Sequence, residues 1–231
     1  MSSNIILKTE DVISLVGTVI GIFLFISPSI LFYKIIRKQE KHIIISKSML
    51  LFNILCGELW MCYWLRLNKL IPMISSAISL SFSLIFAIIY LYFYFLGKIF
   101  YWFLSSIFTI VIVWQCYYYI IFILEDYEII GMIAMIINII TYIPAVQNIS
   151  RIMRQGNFKS ISIINTILGT LSSICWLSYG ILIKNIKSII PNAIGFIFSI
   201  INIAIWTFFY LRMKSDDDKN EKLNNNEIED D

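Results

Sequence analysis

Charge is what this chain has least of. Only 14% of its 231 residues are Asp, Glu, Lys or Arg, well under the ~25% of soluble domains, while 59% are hydrophobic. A water-soluble core cannot absorb that much apolar surface, whereas a bilayer takes up about 20 apolar residues per spanning helix. The chain therefore reads as an all-α integral membrane protein with the lipid bilayer as its first partner. There is one histidine, His42, and no Walker loop, GxGxxG, metal-ligand cluster or nucleophile–base constellation. Catalysis and ATP-driven pumping have no residues to rest on, and no cofactor, metal or nucleic acid is expected. Cysteine is scarce too: Cys56, Cys62, Cys116 and Cys175 all fall inside apolar runs and read as packing residues, neither disulfides nor metal ligands. The N-terminal stretch lacks a basic n-region and its first apolar run is long enough to span, so no cleavable signal peptide is expected.

What is present is a succession of apolar runs, at roughly 12–36, 43–65, 72–96, 99–123, 128–150, 161–183 and 188–212, which predicts seven transmembrane helices. Residues 213–231 are polar, acidic and of low complexity, too poor in apolar surface to order themselves, and are expected to form a disordered cytosolic tail. With the N-terminus outside, thirteen of the eighteen Lys and Arg residues lie on the inner side and five on the outer. That bias predicts an N-out, C-in orientation.

The stretch from Cys175 to Gly195 carries an indole, a short polar turn and a Pro-Asn pair opening the next run. A shift of 116 residues lays Trp60 on Trp176, Tyr63 on Tyr179, Ser76 on Asn192, Ala77-Ile78 on Ala193-Ile194, and Pro28 on Pro144. Two of only four prolines falling into register with the aromatic anchors argue for an internal duplication. The expected units are a first three-helix repeat over 12–96, a linker helix over 99–123 and a second repeat over 128–212. Three helices are an odd number, so the extra helix is needed to make the two bundles parallel, and substrates commonly bind near the midplane where such repeats meet. The fourth span, rich in aromatics, suits lipid contact.

The 3+1+3 plan, prolines in spans 1 and 5, the run Lys159–Ser162 leading into span 6, and the segments Trp176–Gly180 and Pro191–Gly195 together resemble the SWEET family of facilitative sugar transporters. The resemblance covers Val12 to about Arg212, strongest in the second half. It implies a bidirectional uniporter for a mono- or disaccharide working by alternating access, placed in the plasma membrane or an endomembrane, with self-association of the kind its relatives show. It also implies pocket residues Trp176 and Asn192, with Trp60 and Ser76 at the matching first-half positions, where the family usually has a small residue and an Asn. An indole face suits the C–H surface of a pyranose and an amide suits vicinal hydroxyls; two facing indoles point to a pocket of monosaccharide size. Cys56 and Ser172 each lie four residues before a tryptophan and share its helix face, with Asn53 a further turn along. As gate residues the resemblance gives Pro28 and Pro144 as hinges and Tyr63 and Tyr179 at the outer gate. Asn185 stands where an acid is usual, so a gate salt bridge would weaken to a hydrogen bond. Met49 and Asn165 stand where two further prolines are usual.

Glu58 is the one carboxylate deep within a span, a functional candidate by default. It lies two residues from Trp60, roughly 200° around a helix, so it is read as a packing group facing away from the pocket, not a proton site. Asn138, Gln115 and Asn202 read as inter-helix hydrogen-bonding residues. The sequon at Asn148 falls on the expected cytosolic side and is inert. Two other readings stay open. One is a lysosomal amino-acid exporter of the PQ-loop type, coupled to protons through Glu58 and weakened by the absence of a Pro-Gln pair after span 1 or span 5. The other is a seven-helix receptor or cargo-binding protein, which needs no internal repeat.

Overall fold

In lipid every backbone polar group must be satisfied within the chain, and a helix does so within one segment. The computed structural model accordingly consists of helices; it describes residues 8–36, 47–94, 98–122, 126–143, 149–150, 153–154 and 163–229. The seven long helices among them are α1 (Thr9–Ile36), α2 (Lys47–Arg66), α3 (Leu70–Tyr94), α4 (Ile99–Phe122), α5 (Tyr127–Ile140), α6 (Ile163–Leu182) and α7 (Ile186–Glu229). Four of them, α1, α3, α6 and α7, are plainly long and apolar enough to cross a membrane. Their outward surfaces are apolar: large hydrophobic side chains such as Phe23, Ile85, Ile167 and Phe208 are exposed. His42, Pro144, Asn148 and Lys159–Ser162 lie outside the described residues, as do the side chains of Pro28, Met49, Gln115 and Cys116.

Two elements differ from the sequence expectation. The fifth helix ends at Ile140 with Thr141 as its C-cap, and the described residues 143 and 149–150 are again helical, where one continuous span to residue 150 was expected. The sequence disfavours an unbroken helix here, because a proline at 144 has no N–H to offer the carbonyl of residue 140. The polar end from 213 onward was expected not to order, yet the backbone of α7 runs as one helix to Glu229. Extending an existing helix costs far less than nucleating one.

The helices pack in a pattern that repeats. α3 lies against α1 and α2, and α7 lies against α5 and α6. Between the two sets, α1 packs on α6 and α2 on α5, so exchanging helices 1, 2, 3 with 5, 6, 7 reproduces the arrangement. α4 touches α2 and α3 and otherwise exposes Phe100, Phe103, Phe108 and Trp114. The turns agree as well. Asn68 and Lys184, 116 positions apart, have φ of 53° and 55°. In each turn the next two amides close the preceding helix: Asn68 N–H donates to Leu65 O and Lys69 N–H to Trp64 O, as Lys184 N–H does to Ile181 O and Asn185 N–H to Gly180 O. This is a Schellman closure, which needs a left-handed residue. Asn adopts that conformation readily, whereas Lys184 holds it at a cost of about 1–2 kcal/mol.

Backbones approach closely where side chains vanish. A Cβ on Gly57 would lie 3.2 Å from the Leu80 backbone, and one on Gly180 would lie 3.2 Å from the Ile189 nitrogen, so α2–α3 and α6–α7 pack through small residues. Gly131 of α5 is tighter, since an added Cβ would stand 2.5 Å from both the Tyr63 ring and Lys187 Cδ. Gly131→Ala is expected to cost about 1–3 kcal/mol through overpacking. Thermal unfolding in detergent, followed by tryptophan fluorescence, should show a lowered Tm. Gly169→Ala, whose nearest neighbour is Ser199 Oγ at 3.8 Å, should leave Tm unchanged.

Candidate functional site

At the end of the bundle that carries the α2–α3 and α6–α7 turns, aromatic rings fill the axis. Trp60 stacks on Trp64 with centroids 5.5 Å apart, Trp64 meets Tyr179 edge-on at 5.9 Å, and Tyr179 meets Trp176 edge-on at 5.8 Å. Tyr63 closes the set at 5.6 Å from Trp60. Tyr63 and Tyr179 are almost wholly buried, packed with Leu59, Ile130 and Ala134. Each such pair contributes about 0.5–1.5 kcal/mol beyond its buried area.

Tyr63 is also held by polar groups from across the bundle. Asn185 Nδ2 donates to its hydroxyl at 2.7 Å, and Lys187 Nζ lies 5.7 Å above its ring. Asn185 Oδ1 simultaneously accepts from Ser188 N–H at 3.2 Å, capping the start of α7. An Asp at 185 could cap the helix but could not donate to the phenol, so the amide does both. Lys187 is in turn ion-paired to Glu128 on α5, and Lys69 pairs with Glu10 on α1 at 3.0 Å. Each pair ties the first helix of its half to the start of the third. Partly exposed pairs of this kind stabilise by less than about 1 kcal/mol each.

Below the rings lies a cavity of about 520 Å³. Its walls are built from the duplicated positions: Asn53 with Gly169, Cys56 with Ser172, Gly57 with Ser173, Trp60 with Trp176, Ser76 with Asn192, Ser79 with Gly195, and Ser83 with Ser199 all line it, each pair 116 apart. Phe25, Phe82 and Phe86 lie among the remaining lining residues, together with Asn138, Thr141, Tyr142 and Asn165. None of the described lining residues is charged. The cavity therefore offers hydroxyls, amides and aromatic faces, a surface for a neutral ligand rich in hydroxyls.

All six sequence-predicted pocket residues, Trp176, Asn192, Trp60, Ser76, Cys56 and Ser172, line this one cavity. Two of them have part of their hydrogen-bonding capacity engaged. Ser76 Oγ donates to Pro72 O at 2.9 Å and Asn192 Nδ2 donates to Ser188 O at 2.7 Å, each to the carbonyl four residues back. Ser76 keeps an acceptor oxygen for a ligand, while Asn192 keeps its carbonyl and a second N–H. Of the gate set, Tyr63, Tyr179 and Asn185 meet at the ring-filled end. Pro28 falls within α1.

Glu58 is 1% exposed, does not line the cavity, and neither of its oxygens has a hydrogen-bond partner among the described residues. That is the placement its offset from Trp60 implies. Asn138, read from sequence as an inter-helix residue, lines the cavity instead. Sequence reasoning missed the rest of the α3 serine row, Ser75, Ser79 and Ser83, although helical spacing from Ser76 and the 116-residue register both led to Ser79 and Ser83. It also missed Trp64, Ser173, Ser199 and Tyr142; the register points to the two serines, but nothing local marks Trp64 or Tyr142.

The chain is similar to known proteins in sequence and in fold. Residues 128–214 match the profile of a family described as sugar efflux transporters for intercellular exchange. The chain is 22% identical over 206 residues to the bidirectional sugar transporter SWEET10 of Arabidopsis thaliana, covering 86% of this chain and 70% of that protein. It is 23% identical over 95 residues to the bidirectional sugar transporter SWEET7b of Oryza sativa subsp. japonica, a match spanning 41% of this chain and only 36% of that relative's length. In fold it is similar to a solved eukaryotic SWEET transporter, with a TM-score of 0.72 at 15% identity over 88% of this chain and 99% of the other. The family profile, the long alignment and the fold agree in likening this seven-helix membrane protein to the SWEET family.

Proposed function

We propose that the protein is a facilitative, bidirectional sugar uniporter working by alternating access. The observation that carries this reading is the cavity itself, uncharged along its described walls and set between Trp60 and Trp176 with hydroxyls and amides on both sides. A pyranose presents apolar C–H faces to indoles and hydroxyls to Ser and Asn. Its volume fits a monosaccharide with room for water. An amino acid, carried as a zwitterion, would leave two charges facing walls without counter-charges, a costly arrangement. Glu58, the residue a proton-coupled exporter would use, stands apart from the cavity, which favours uniport driven by the sugar gradient alone.

In this reading residues 12–96 and 128–212 are two parallel repeats and 99–123 is the linker between them. The orientation is N-out and C-in, in the plasma membrane, and self-association is carried over from the resemblance alone. The ring-filled end is then the outer gate, closed in the conformation described, and Tyr63, Tyr179 and Asn185 must separate for sugar to enter from outside. Pro28 and Pro144 serve as hinges for that movement, and Trp176, Asn192, Trp60, Ser76, Cys56 and Ser172 contact the sugar or line its route.

Expression in a cell lacking hexose uptake, followed with labelled glucose, tests this. Asn192→Ala is expected to lower uptake roughly ten-fold, the loss of two hydrogen bonds at about 0.5–1.5 kcal/mol each; uptake that is absent in the parent, or unaffected by the substitution, overturns the assignment. Glu58→Gln is expected to leave uptake and its pH profile unchanged. Amino-acid flux that depends on pH and disappears in this variant would establish the exporter, and ligand binding without flux in proteoliposomes would establish the receptor.

A further inference from the structure

The two halves of the cavity are not equivalent, and the difference centres on Tyr142, just past the C-cap of α5. Its ring lies 5.9 Å from that of Phe198 at an interplanar angle of 31°, so it packs against α7. Its hydroxyl is seated against Gly195: a Cβ there would collide with Tyr142 Oη, lie 3.0 Å from Cζ, and stand 3.2 Å from Ser173 Oγ. Gly195 is buried, and the missing side chain is what lets two hydroxyls, one from the end of α5 and one from α6, converge beside α7. Asn192 lies three residues before Gly195 on the same face, and all four residues line the cavity. In the first half the 116-residue register puts Ile26, Gly57, Ser79 and Ser76 at the corresponding positions. No phenol is found there, and neither the Tyr142 nor the Ser173 counterpart carries a hydroxyl.

We infer that Tyr142 is a specificity-determining residue, whose hydroxyl, held in place by Gly195 and Phe198, binds a ring hydroxyl of the sugar alongside Ser173 and Asn192. The second half thereby reads hydroxyl positions, while the first half supplies mainly Trp60 and the serine row. This rests on the sugar-transport reading and adds a contact to it. A phenol can both donate and accept, and its packed ring loses little rotamer freedom on binding, so the contact is selective for where on the ring a hydroxyl stands.

The test is uptake kinetics for glucose and a panel of monodeoxyglucoses in the full-length protein. Tyr142→Phe keeps the ring on Phe198 and is expected to raise KM for glucose about three- to ten-fold, the value of one neutral hydrogen bond, with kcat little changed. For one deoxyglucose, the analogue lacking the hydroxyl that Tyr142 binds, the parent and the variant should have the same KM. Gly195→Ala, by pushing the phenol aside, should raise KM similarly in the parent but add little on the Tyr142→Phe background. An unchanged KM in Tyr142→Phe, or an increase of equal size for every deoxyglucose, overturns the inference. Asn192→Ala run in parallel separates the two levels. If it impairs uptake while Tyr142→Phe does not, only the role of Tyr142 falls; if it too is without effect, the sugar site itself falls.

Discussion

Tyr63 is gripped from three directions, by the Asn185 amide at its hydroxyl, by Lys187 over its face and by the bare backbone of Gly131 along its edge. Each grip comes from the opposite half of the bundle, on α5, on α7 or in the turn before it. Closure at this end is therefore a property of contacts between halves, made by groups that each have a second task. Asn185 caps α7, Lys187 neutralises Glu128, and Gly131 lets α5 approach α2. Movement of Tyr63 must disturb the start of α7, and with it the helix that carries Asn192 into the cavity.

Much of this could be read from residues alone because the 116-residue register writes the same physical solution twice. A run of apolar residues long enough for a bilayer has few structural alternatives, so the seven helices followed from hydropathy. The 116-residue register then led to the paired tryptophans, and helical spacing led from them to Cys56 and Ser172. What stayed hidden depends on tertiary approach. Trp64 sits one turn beyond Trp60, yet its register partner is Gly180, so no repeat signal marked it. Tyr142 follows the end of a helix, and its value comes from an absent side chain on another helix. Asn138 reads from sequence as any polar residue in lipid would, and only the packing of α5 against α2 and α7 shows which way it faces. The helical backbone at the end of α7 was not legible from composition, which measures whether a segment can nucleate structure, not whether a helix already formed will continue into it.

The polar cavity and the apolar exterior are two sides of one allocation. Serines on α3 and asparagines on α2, α5, α6 and α7 are turned inward, and their hydrogen-bonding groups are partly engaged by the helix that carries them, as with Ser76 and Pro72. That arrangement keeps the walls polar when no ligand is bound without leaving many groups wholly unsatisfied, a costly condition in a low-dielectric interior.

The pairing of Trp64 with Gly180 makes one end of the bundle asymmetric. Trp64 leaves the first half and packs against Tyr179 of the second, whereas the equivalent place on the second half has no side chain. A homodimer of identical half-chains would present either two indoles or two empty positions here, so it could not build this plug. The closure is therefore asymmetric, and it depends on different residues standing at one shared position of the register.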